Sequence, residues 1–517
     1  MTRAPLAAAA FAALGLSTCS PAPPVVSPLP SVVSSEALTQ GAQPKQRTQA
    51  IVSAQTDDHH SNTLSALRIP LTHPKTQHPA IANALETAKI AIARRRAQKK
   101  ILGPEYIEEE RGTPKEPSAP SRPDLQHLVR RENGNALGTV VSLESPAGAL
   151  SNFYAALRSL NRRRKSYNKV RVLAFGASHT QGDFYTGYLR YYLQERFGNG
   201  GQGFVHLAEI NRWYRMLDTR IDSRGFKTTH AQSRSALDVD KYGLLGARAT
   251  ASSATAFGRI APRQADSTPG IPKQFELYYE THPNGGGLDI TVNGQYQLRV
   301  GTRGRQAPNY FSFLLPSQWE QVVVSPVGDG VVQLYGISVE NARRGVVVDT
   351  LGINGTRAAN WLKWDEQLWT EHVRRREPSL VLIAYGTNET VDTKQPISIY
   401  QQKLTQVLSR LRHALPQSSC VLMGPGDFPK EASGGWIPRN RLTQIIAVQR
   451  QLAQVFGCAF WDTYAFMGGE GSMHRWHKAY PSMASKDHIH FTPRGYVKLG
   501  MALGDAIMDR FDAELNH

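Results

Sequence analysis

The sequence predicts an α/β fold in which a parallel sheet lies between two layers of helices, with an all-β sandwich domain inserted into it. Five short apolar runs are typical of strands that are buried on both faces, and an amphipathic segment follows most of them. After the first run, residues 204–341 alternate apolar and polar side chains over several short stretches. This alternation is typical of antiparallel strands with one solvated face and predicts the insert.

The parallel domain is predicted in two segments, 131–203 and 342–517, because its first strand and helix precede the insert. The predicted strands are residues 170–175, 346–351, 380–385, 420–423 and 459–462. The predicted helices are residues 147–164, 183–196, 357–375, 397–415, 439–456 and 494–515. Trp361, Trp364 and Trp369 recur along one of these helices, which indicates packing in the core.

Turn signals divide the insert into strands. Asn293-Gly294 separates two alternating runs, and Asn-Gly is a strong signal for a two-residue hairpin turn. The strands identified from the sequence are residues 274–279, 288–292, 296–300, 321–324 and 331–339. Short strands with frequent turns predict a sandwich.

The first 19 residues have the pattern of a signal peptide, with Arg3 before an apolar run at 6–16 and small residues before Cys19. The apolar run is too short to span a bilayer comfortably as a mature helix. Two interpretations of Cys19 stay open: lipidation at a lipobox, which would attach the protein to a membrane, and plain secretion with cleavage nearby. Both predict export.

Residues 20–130 are rich in Pro, Ser, Ala, Thr and Gln, and this composition predicts an unstructured tether. One helix is expected within it, at residues 80–100. That helix ends in a basic run at 94–100, and a second basic run covers 162–165. Both runs are interpreted as solvated helix faces.

The formal net charge of +18 favours a polyanionic partner, but charge alone does not choose among nucleic acid, anionic lipid and an acidic wall polymer.

Without the signal peptide, two cysteines remain, Cys420 and Cys458. They are predicted either to form a disulfide or to stay as two buried thiols. The sequence contains no CxxC motif and no Cys/His cluster with zinc spacing, so we expect neither a metal nor another cofactor.

Ser178 stands where the first strand is predicted to end and a helix to begin. Ligands gather at the carboxyl ends of the strands in an open parallel sheet, and a helix N-terminus attracts a developing anion. A serine at this position is therefore well placed for nucleophilic attack. An ordinary helix-capping serine would have the same local sequence.

Three further loops carry the groups that a nucleophilic serine needs. Asp487 and His490 lie three residues apart before the last predicted helix, a spacing that suits a base and the carboxylate that orients it. Gly355 offers a backbone N–H and Asn388 a side-chain amide for an oxyanion, each just after a predicted strand. Taken singly, each loop is as easily explained as a turn or a polar loop.

The order of these four segments resembles the SGNH (GDSL-like) hydrolase superfamily, which carries Ser, Gly and Asn after successive strands and Asp-x-x-His before the last helix. The resemblance implies a flavodoxin-like SGNH hydrolase fold and a serine ester hydrolase. It implies Ser178 as nucleophile and first oxyanion donor. It implies Gly355 and Asn388 as the other donors, and Asp487 and His490 as the acid-base pair.

Two residues depart from the pattern of that family. Ala177 stands where the Gly-Asp-Ser motif has Asp, and Glu389 stands where many members have Asp. Neither residue replaces a group that the mechanism requires. The departures concern the branch of the family rather than the chemistry.

Other features are similar to the peptidoglycan O-acetylesterases of Gram-negative bacteria: the run at 178–183, the Gly-rich stretch at 197–204, and the insert, which resembles a carbohydrate-binding module. This resemblance implies a periplasmic enzyme that removes O-acetyl groups from N-acetylmuramic acid, with an acetylated glycan as partner and no nucleic acid. One alternative is an esterase or acetyltransferase acting on another acylated polysaccharide or a lipid. A second is a wall-binding lipoprotein without activity.

The Gly-rich stretch at 466–476 precedes the Asp487 and His490 loop and ends in Trp476. Trp476 could line the acyl pocket or stack on a sugar ring. The glycines are equally consistent with a flexible loop.

Overall fold

A computed structural model of the protein describes residues 79–103, 137–161, 169–233, 239–263 and 270–515. The apolar runs predicted from the sequence are among its strands. All of these belong to one compact unit, Pro74–His517. The strands within the described ranges are β1 (Lys169–Gly176), β2 (Gly201–Val205), β3 (Thr219–Arg224), β4 (Lys227–His230), β5 (Ala247–Ala251), β6 (Phe257–Pro262), β7 (Lys273–Thr281), β8 (Gly287–Val292), β9 (Gln295–Gly301), β10 (Ala307–Leu315), β11 (Val322–Pro326), β12 (Val332–Asn341), β13 (Gly345–Gly352), β14 (Pro378–Ala384), β15 (Ser419–Met423), β16 (Lys430–Ala432), β17 (Gly435–Ile437) and β18 (Ala459–Trp461).

The α-helices in the same ranges are α1 (Pro79–Leu102), α2 (Ser151–Asn161), α3 (Ser178–Gln181), α4 (Phe184–Phe197), α5 (Glu366–Arg376), α6 (Ile397–Ala414), α7 (Asn440–Val455), α8 (Thr463–Met467), α9 (Ser472–Lys478) and α10 (Pro493–Leu515). Two 3-10 helices lie at Ala358–Lys363 and Asn388–Val391. None of these helices is both long and apolar enough to cross a membrane.

The parallel sheet has the strand order β13-β1-β14-β15-β18, and all four pairings are parallel. In chain order of its five strands this is 2-1-3-4-5, the flavodoxin-like arrangement. The predicted fold class is confirmed. All five strands lie where the apolar runs predict them, because both faces of the sheet are covered and every position is buried or nearly so.

Each face of this sheet packs against its own layer of helices. One face meets α2, α4 and α10, through core residues such as Val172, Val348 and Leu503. The other face meets the 3-10 helix at Ala358–Lys363 together with α5, α6 and α7, around Phe175 and Trp361. Trp361, Trp364 and Trp369 are all buried there, as core packing requires.

Two antiparallel sheets lie between β1 and β13 in the chain. One has the order β10-β7-β12-β5-β4, with β2 also paired to β12, and the other has the order β3-β6-β11-β8-β9. An apolar cluster contributed by both sheets includes Leu277, Ile337, Ile290 and Val322, so the sheets pack face to face as a sandwich.

The β8–β9 hairpin has the turn that its sequence predicts. Asn293 and Gly294 connect the two strands with φ values of 52° and 79°. Positive φ at both central residues is the geometry that Asn-Gly adopts at low cost, and its twist matches that of the flanking strands.

A buried network of charges joins the parallel sheet to the antiparallel sheet. Asp349 of β13 accepts hydrogen bonds from the Phe204 backbone N–H of β2, at 2.8 Å, and from Arg376, at 2.8 and 3.1 Å. Arg376 also contacts Glu340 of β12 at 2.8 Å, and Glu340 forms a two-pronged pair with Arg171 of β1 at 2.9 Å. One set of buried polar contacts therefore joins β1 and β13 of the parallel sheet to β2 and β12 of the antiparallel sheet.

The electrostatics of this network favour ionised carboxylates despite burial. Burial acts to raise the pKa of Glu340, but Arg376 and Arg171 outweigh it and lower that pKa to about 2. A carboxyl group with a lowered folded-state pKa contributes stability at neutral pH. That contribution is lost as the pH falls from the unfolded-state value towards 2.

Three expectations from the sequence are corrected or resolved by the structure. The helix predicted at 357–375 is interrupted, because Asp365 caps a new helix by accepting the Leu368 N–H at 2.8 Å. The basic run at 94–100 is not fully solvated, since Arg94 is an ion-pair partner of Asp505 in α10. Cys420 and Cys458, on neighbouring strands or beside them, form a disulfide.

The signal peptide at 1–19, Cys19, the basic run at 162–165 and most of the tether lie outside the described residues. These interpretations and the domain boundaries stay predictions. The helix expected at 80–100 is present as α1.

We expect Asp349→Asn to destabilise the protein by about 3–5 kcal/mol, because it leaves the buried Arg376 without its main counter-charge. The measurement is urea denaturation followed by circular dichroism. Asp289→Asn is the matched control, since Asp289 pairs with Arg299 at the surface at 2.7 Å and such pairs contribute about 1 kcal/mol at most. Equal losses in the two variants would contradict the role assigned to the network.

Candidate active site

Ser178 begins α3, two residues after β1 ends, at the carboxyl edge of the parallel sheet. The turn between strand and helix is tight at Gly176. A Cβ atom there would lie 2.0 Å from Thr180 Oγ1 and 2.9 Å from the Ala384 carbonyl oxygen. Only glycine fits, and the turn leaves the Ser178 side chain partly exposed.

The structure brings Ser178, His490 and Asp487 together although 312 positions separate Ser178 from His490. His490 Nε2 lies 2.9 Å from Ser178 Oγ, and His490 Nδ1 lies 2.7 Å from Asp487 Oδ2. An ionised carboxylate only accepts hydrogen bonds, so Nδ1 carries the proton and the Nε2 lone pair faces the serine hydroxyl. This is the geometry in which an imidazole can take the serine proton.

The local turn fixes the carboxylate as well as the imidazole. Asp487 Oδ1 accepts the backbone N–H groups of Ile489 and His490, both at 3.0 Å. Partial burial acts to raise the pKa of Asp487, but the hydrogen bonds from His490 and from these backbone groups outweigh it and lower the pKa. Asp487 is therefore ionised across the neutral range.

His488 lies in the same turn but faces away from the serine. It is buried, its φ is 53°, and its ring stacks on Trp436 with 3.7 Å between ring centroids. Its Nε2 lies 3.0 Å from Nδ1 of His474. The structure thus separates the neighbouring histidines, as the Asp-x-x-His spacing predicts.

Gly355 lies in the loop after β13, next to α3. The backbone N–H groups of this loop bond to the serine turn, with Ile353 to the Gly176 carbonyl at 3.2 Å and Asn354 to Gln181 Oε1 at 2.7 Å. Gly355 has a φ of 77°, a conformation that favours glycine. Its loop is thereby fixed beside Ser178.

Asn388 begins the 3-10 helix after β14 and is bonded to the same loop. Its Nδ2 donates to the Thr356 carbonyl oxygen at 2.9 Å, which leaves the second N–H of that amide for another acceptor. Glu389, the departure from the family's usual Asp, accepts the backbone N–H groups of Ala358 at 2.9 Å and Gly386 at 3.1 Å. The longer side chain bridges the two loops, and burial raises its pKa.

The His179 ring lies beside the His490 ring but has no hydrogen bond to Ser178, His490 or Asp487 among those described. Its Nδ1 is 3.0 Å from the Tyr496 hydroxyl, and its ring centroid is 5.3 Å from that of His490. Desolvation lowers the pKa of His179 to about 3, and His490 adds a smaller lowering. His179 is therefore neutral wherever His490 works as a base.

Gln181 and Asn211 form a link that was not predicted from the sequence. Gln181 Nε2 donates to Asn211 Oδ1 at 2.9 Å, and Asn211 Nδ2 donates back to Gln181 Oε1 at 3.1 Å. Since Gln181 also accepts the Asn354 N–H, it connects the serine helix, the Gly355 loop and the loop after β2. Amides have no characteristic spacing, so no pattern in the sequence could have predicted this link.

Trp476 takes neither of the two roles considered for it. It is fully buried in α9, and its Nε1 donates to the Met467 carbonyl oxygen at 3.2 Å. Both interpretations were wrong because the Gly-rich stretch ends in short helices that bury the indole. In the described ranges, no group of three or more His, Cys, Asp or Glu side chains is arranged to hold a metal ion.

Comparison with known proteins supports the fold and an ester hydrolase activity. Residues 329–498 match the GDSL-like Lipase/Acylhydrolase family, a range that includes Gly355, Asn388, Asp487 and His490 but not Ser178. No curated protein matches the chain significantly.

Solved structures that match this chain include a peptidoglycan O-acetylesterase and an acetylxylan esterase from Geobacillus stearothermophilus. The first is 24% identical, with a TM-score of 0.61, and the alignment covers 72% of this chain and all of the other. The second is 23% identical over 32% of this chain and 73% of its own, with a TM-score of 0.25 that is too low to bear on the fold. The family match and the first of these structures together support an SGNH-type hydrolase fold.

We expect His179 to make the protein less stable in acid. The unfolded chain binds a proton near the ordinary histidine pKa and the folded chain does not, so stability falls as the pH drops from about 6.5 towards 3. One such proton gives a slope of about 1.4 kcal/mol per pH unit.

His179→Gln should lower the measured slope by about 1.4 kcal/mol per pH unit, in urea denaturation at a series of pH values between 4 and 7. The buried His206 and His372, whose pKa values are also lowered, account for a slope that remains. His413→Gln, at an exposed position in α6, is the matched control and should leave the slope as it is. An unchanged slope in His179→Gln would show that His179 is protonated in the folded state.

Proposed function

We propose that this chain, which is a carboxylic ester hydrolase with an SGNH-type fold, removes O-acetyl groups from the N-acetylmuramic acid of peptidoglycan. The observation that carries the hydrolytic step is the hydrogen-bonded series of Ser178, His490 and Asp487, with 2.9 Å between Ser178 Oγ and His490 Nε2. The substrate is proposed from the likeness to a peptidoglycan O-acetylesterase along that protein's whole length.

In the proposed mechanism, Ser178 Oγ attacks the acetyl carbonyl carbon while His490 Nε2 takes the hydroxyl proton. Asp487 holds the imidazole in this orientation and stabilises its positive charge. When the tetrahedral intermediate collapses, His490 returns the proton to the sugar oxygen, and the acetyl group stays on Ser178. Water, deprotonated by His490, then attacks the acetyl-enzyme. As the second tetrahedral intermediate collapses, His490 gives this proton to Ser178 Oγ and acetate leaves.

The negative charge on the intermediate needs fixed donors. The backbone N–H groups of Ser178 and Gly355 and the free amide N–H of Asn388 are proposed as those donors. The hydrogen bond from Asn388 to the Thr356 carbonyl supports this proposal, because it holds the amide against the Gly355 loop. Glu389 reinforces the arrangement by bonding to both loops.

The charge balance of the chain also supports a cell-wall substrate. The chain has 60 basic and 42 acidic residues, a balance that attracts an anionic polymer. Export through the signal peptide at 1–19, with Cys19 as a site of lipid attachment in the periplasm, is part of the same proposal. The antiparallel sandwich is proposed to help in binding the glycan.

We expect Ser178→Ala to abolish acetate release from purified O-acetylated sacculi. Asp487→Asn should lower kcat by about 10²–10⁴, because His490 loses the partner that fixes its tautomer. Ser433→Ala, at an exposed position between β16 and β17, is the matched control and should retain full activity.

The same assay on acetylated xylan tests the substrate. Release from sacculi that depends on Ser178 supports the proposal. Release from xylan alone would assign the enzyme to another acylated polysaccharide. Binding to sacculi with no turnover in the wild type would favour a wall-binding protein.

Asn388→Ala should lower kcat on the same sacculi by about 10²–10³, the usual effect of losing one oxyanion donor. KM should change much less, because the donor acts on charge that develops in the transition state. Asn360→Ala serves as the control, since Asn360 is an amide in the neighbouring 3-10 helix that bonds to the Arg357 N–H. A loss confined to KM would contradict the role of Asn388 as an oxyanion donor.

A further inference from the structure

The loop between β2 and β3 is bonded directly to the helix that carries Ser178. Asn211 in this loop exchanges two side-chain hydrogen bonds with Gln181, the last residue of α3. Asn211 Oδ1 also accepts the Trp213 backbone N–H at 3.0 Å. Tyr214, which follows, is buried and accepts the His206 N–H at 2.8 Å. The loop is therefore held on both sides of Trp213.

Trp213 itself is exposed although its neighbours are fixed. Sixty per cent of its side chain is accessible, and the Arg212 guanidinium lies over its ring at 4.8 Å from the centroid. Hydrogen bonds on both sides hold this large aromatic ring at the surface, where one face of the ring is available to stack on a ligand. The indole faces solvent on a segment that is only two hydrogen bonds away from the serine helix.

A second arginine of the same loop packs against the wall of the active site. Arg215 lies over the Phe184 ring at 4.3 Å. Phe184 stacks on Tyr496 with centroids 5.6 Å apart, and the Tyr496 hydroxyl bonds to His179. Neither Arg212 nor Arg215 forms an ion pair with an acidic residue in the part of the chain that the structure describes. Two positive charges thus border the site with aromatic contacts but without an ion pair in the described ranges.

We propose that residues 209–215, the Arg-Trp loop, form a subsite for an acidic glycan next to Ser178. The indole of Trp213 would stack on the C–H face of a pyranose ring, since that face is apolar and positively polarised whereas the aromatic face is negative. Arg212 and Arg215 would pair with carboxylates that the glycan strand or its attached peptide carries. This inference rests on the proposed function and assigns polymer recognition to the first loop of the antiparallel region.

The first test is binding, which does not require turnover. Ser178→Ala protein is sedimented with O-acetylated sacculi, and the double variant with Trp213→Ala should bind about tenfold more weakly, as is usual for an aromatic anchor. Trp213→Phe should restore most of the binding. Tyr296→Ala is the matched control, because Tyr296 on β9 is 59% exposed and lies on the far strand of the second sheet.

The outcomes of this test separate the possibilities. Weaker binding with Trp213→Ala and not with Tyr296→Ala supports the subsite. Loss with Tyr296→Ala alone places the glycan contact on the outer strand and overturns the proposal. Wild-type binding by both variants overturns it too, whether or not the protein releases acetate, so this failure is distinct from failure of the proposed function.

The second test uses turnover and addresses charge. The combined Arg212→Gln and Arg215→Gln variant should have a KM for sacculi raised about tenfold with little change in kcat, because charges at the edge of a site act on binding. The loss should shrink as salt is raised. An equal rise in KM for acetylated xylan, which is neutral, would show that the arginines do not read carboxylates and would overturn that part of the proposal.

Discussion

The buried carboxylate of Asp349 is the interaction on which the arrangement of the two sheet systems depends. It lies on β13, next to β1 in the parallel sheet, yet it accepts the N–H of Phe204 from β2 and both prongs of Arg376. A buried charge is tolerated only when it is paired and hydrogen-bonded. Asp349 therefore fixes the position of the antiparallel sheet against the parallel sheet. It lies on β13, the strand that leads to Gly355.

This constraint explains how the parallel sheet forms although eleven antiparallel strands, β2–β12, separate β1 from β13 in the chain. The antiparallel strands lie between α4 and β13 in the chain. Glu340 of β12 joins them to the parallel domain through its ion pairs with Arg376 and Arg171. β1 and β13 then pair over their full lengths, from Lys169 with Gly345 to Gly176 with Gly352. Because the strands pair in this register, both end at the same edge of the sheet. The loops that follow them therefore begin side by side, one leading to Ser178 and the other to Gly355.

Sequence patterns predict the parallel sheet well because its strands are buried on both faces and read as unbroken apolar runs. They predict only half of the sandwich. β2 to β6 and β10 were missed. Two of these strands, Thr219–Arg224 and Lys227–His230, carry mainly polar side chains and have no apolar face to detect. The grouping of Ser178, Asp487 and His490 was predictable from their order along the chain. The links through Gln181 and the exposure of Trp213 depend on contacts between distant segments, which no local pattern records.

The chemistry of the site requires a charged Asp487 and a neutral His179. Asp487 is ionised because backbone N–H groups and His490 favour its charged form. His179, 5.3 Å from His490 between ring centroids, stays neutral because it is desolvated. A cationic His179 would repel the imidazolium that forms when Ser178 gives up its proton. A desolvated neutral histidine is costly in acid, but here it lets the neighbouring histidine act as a base.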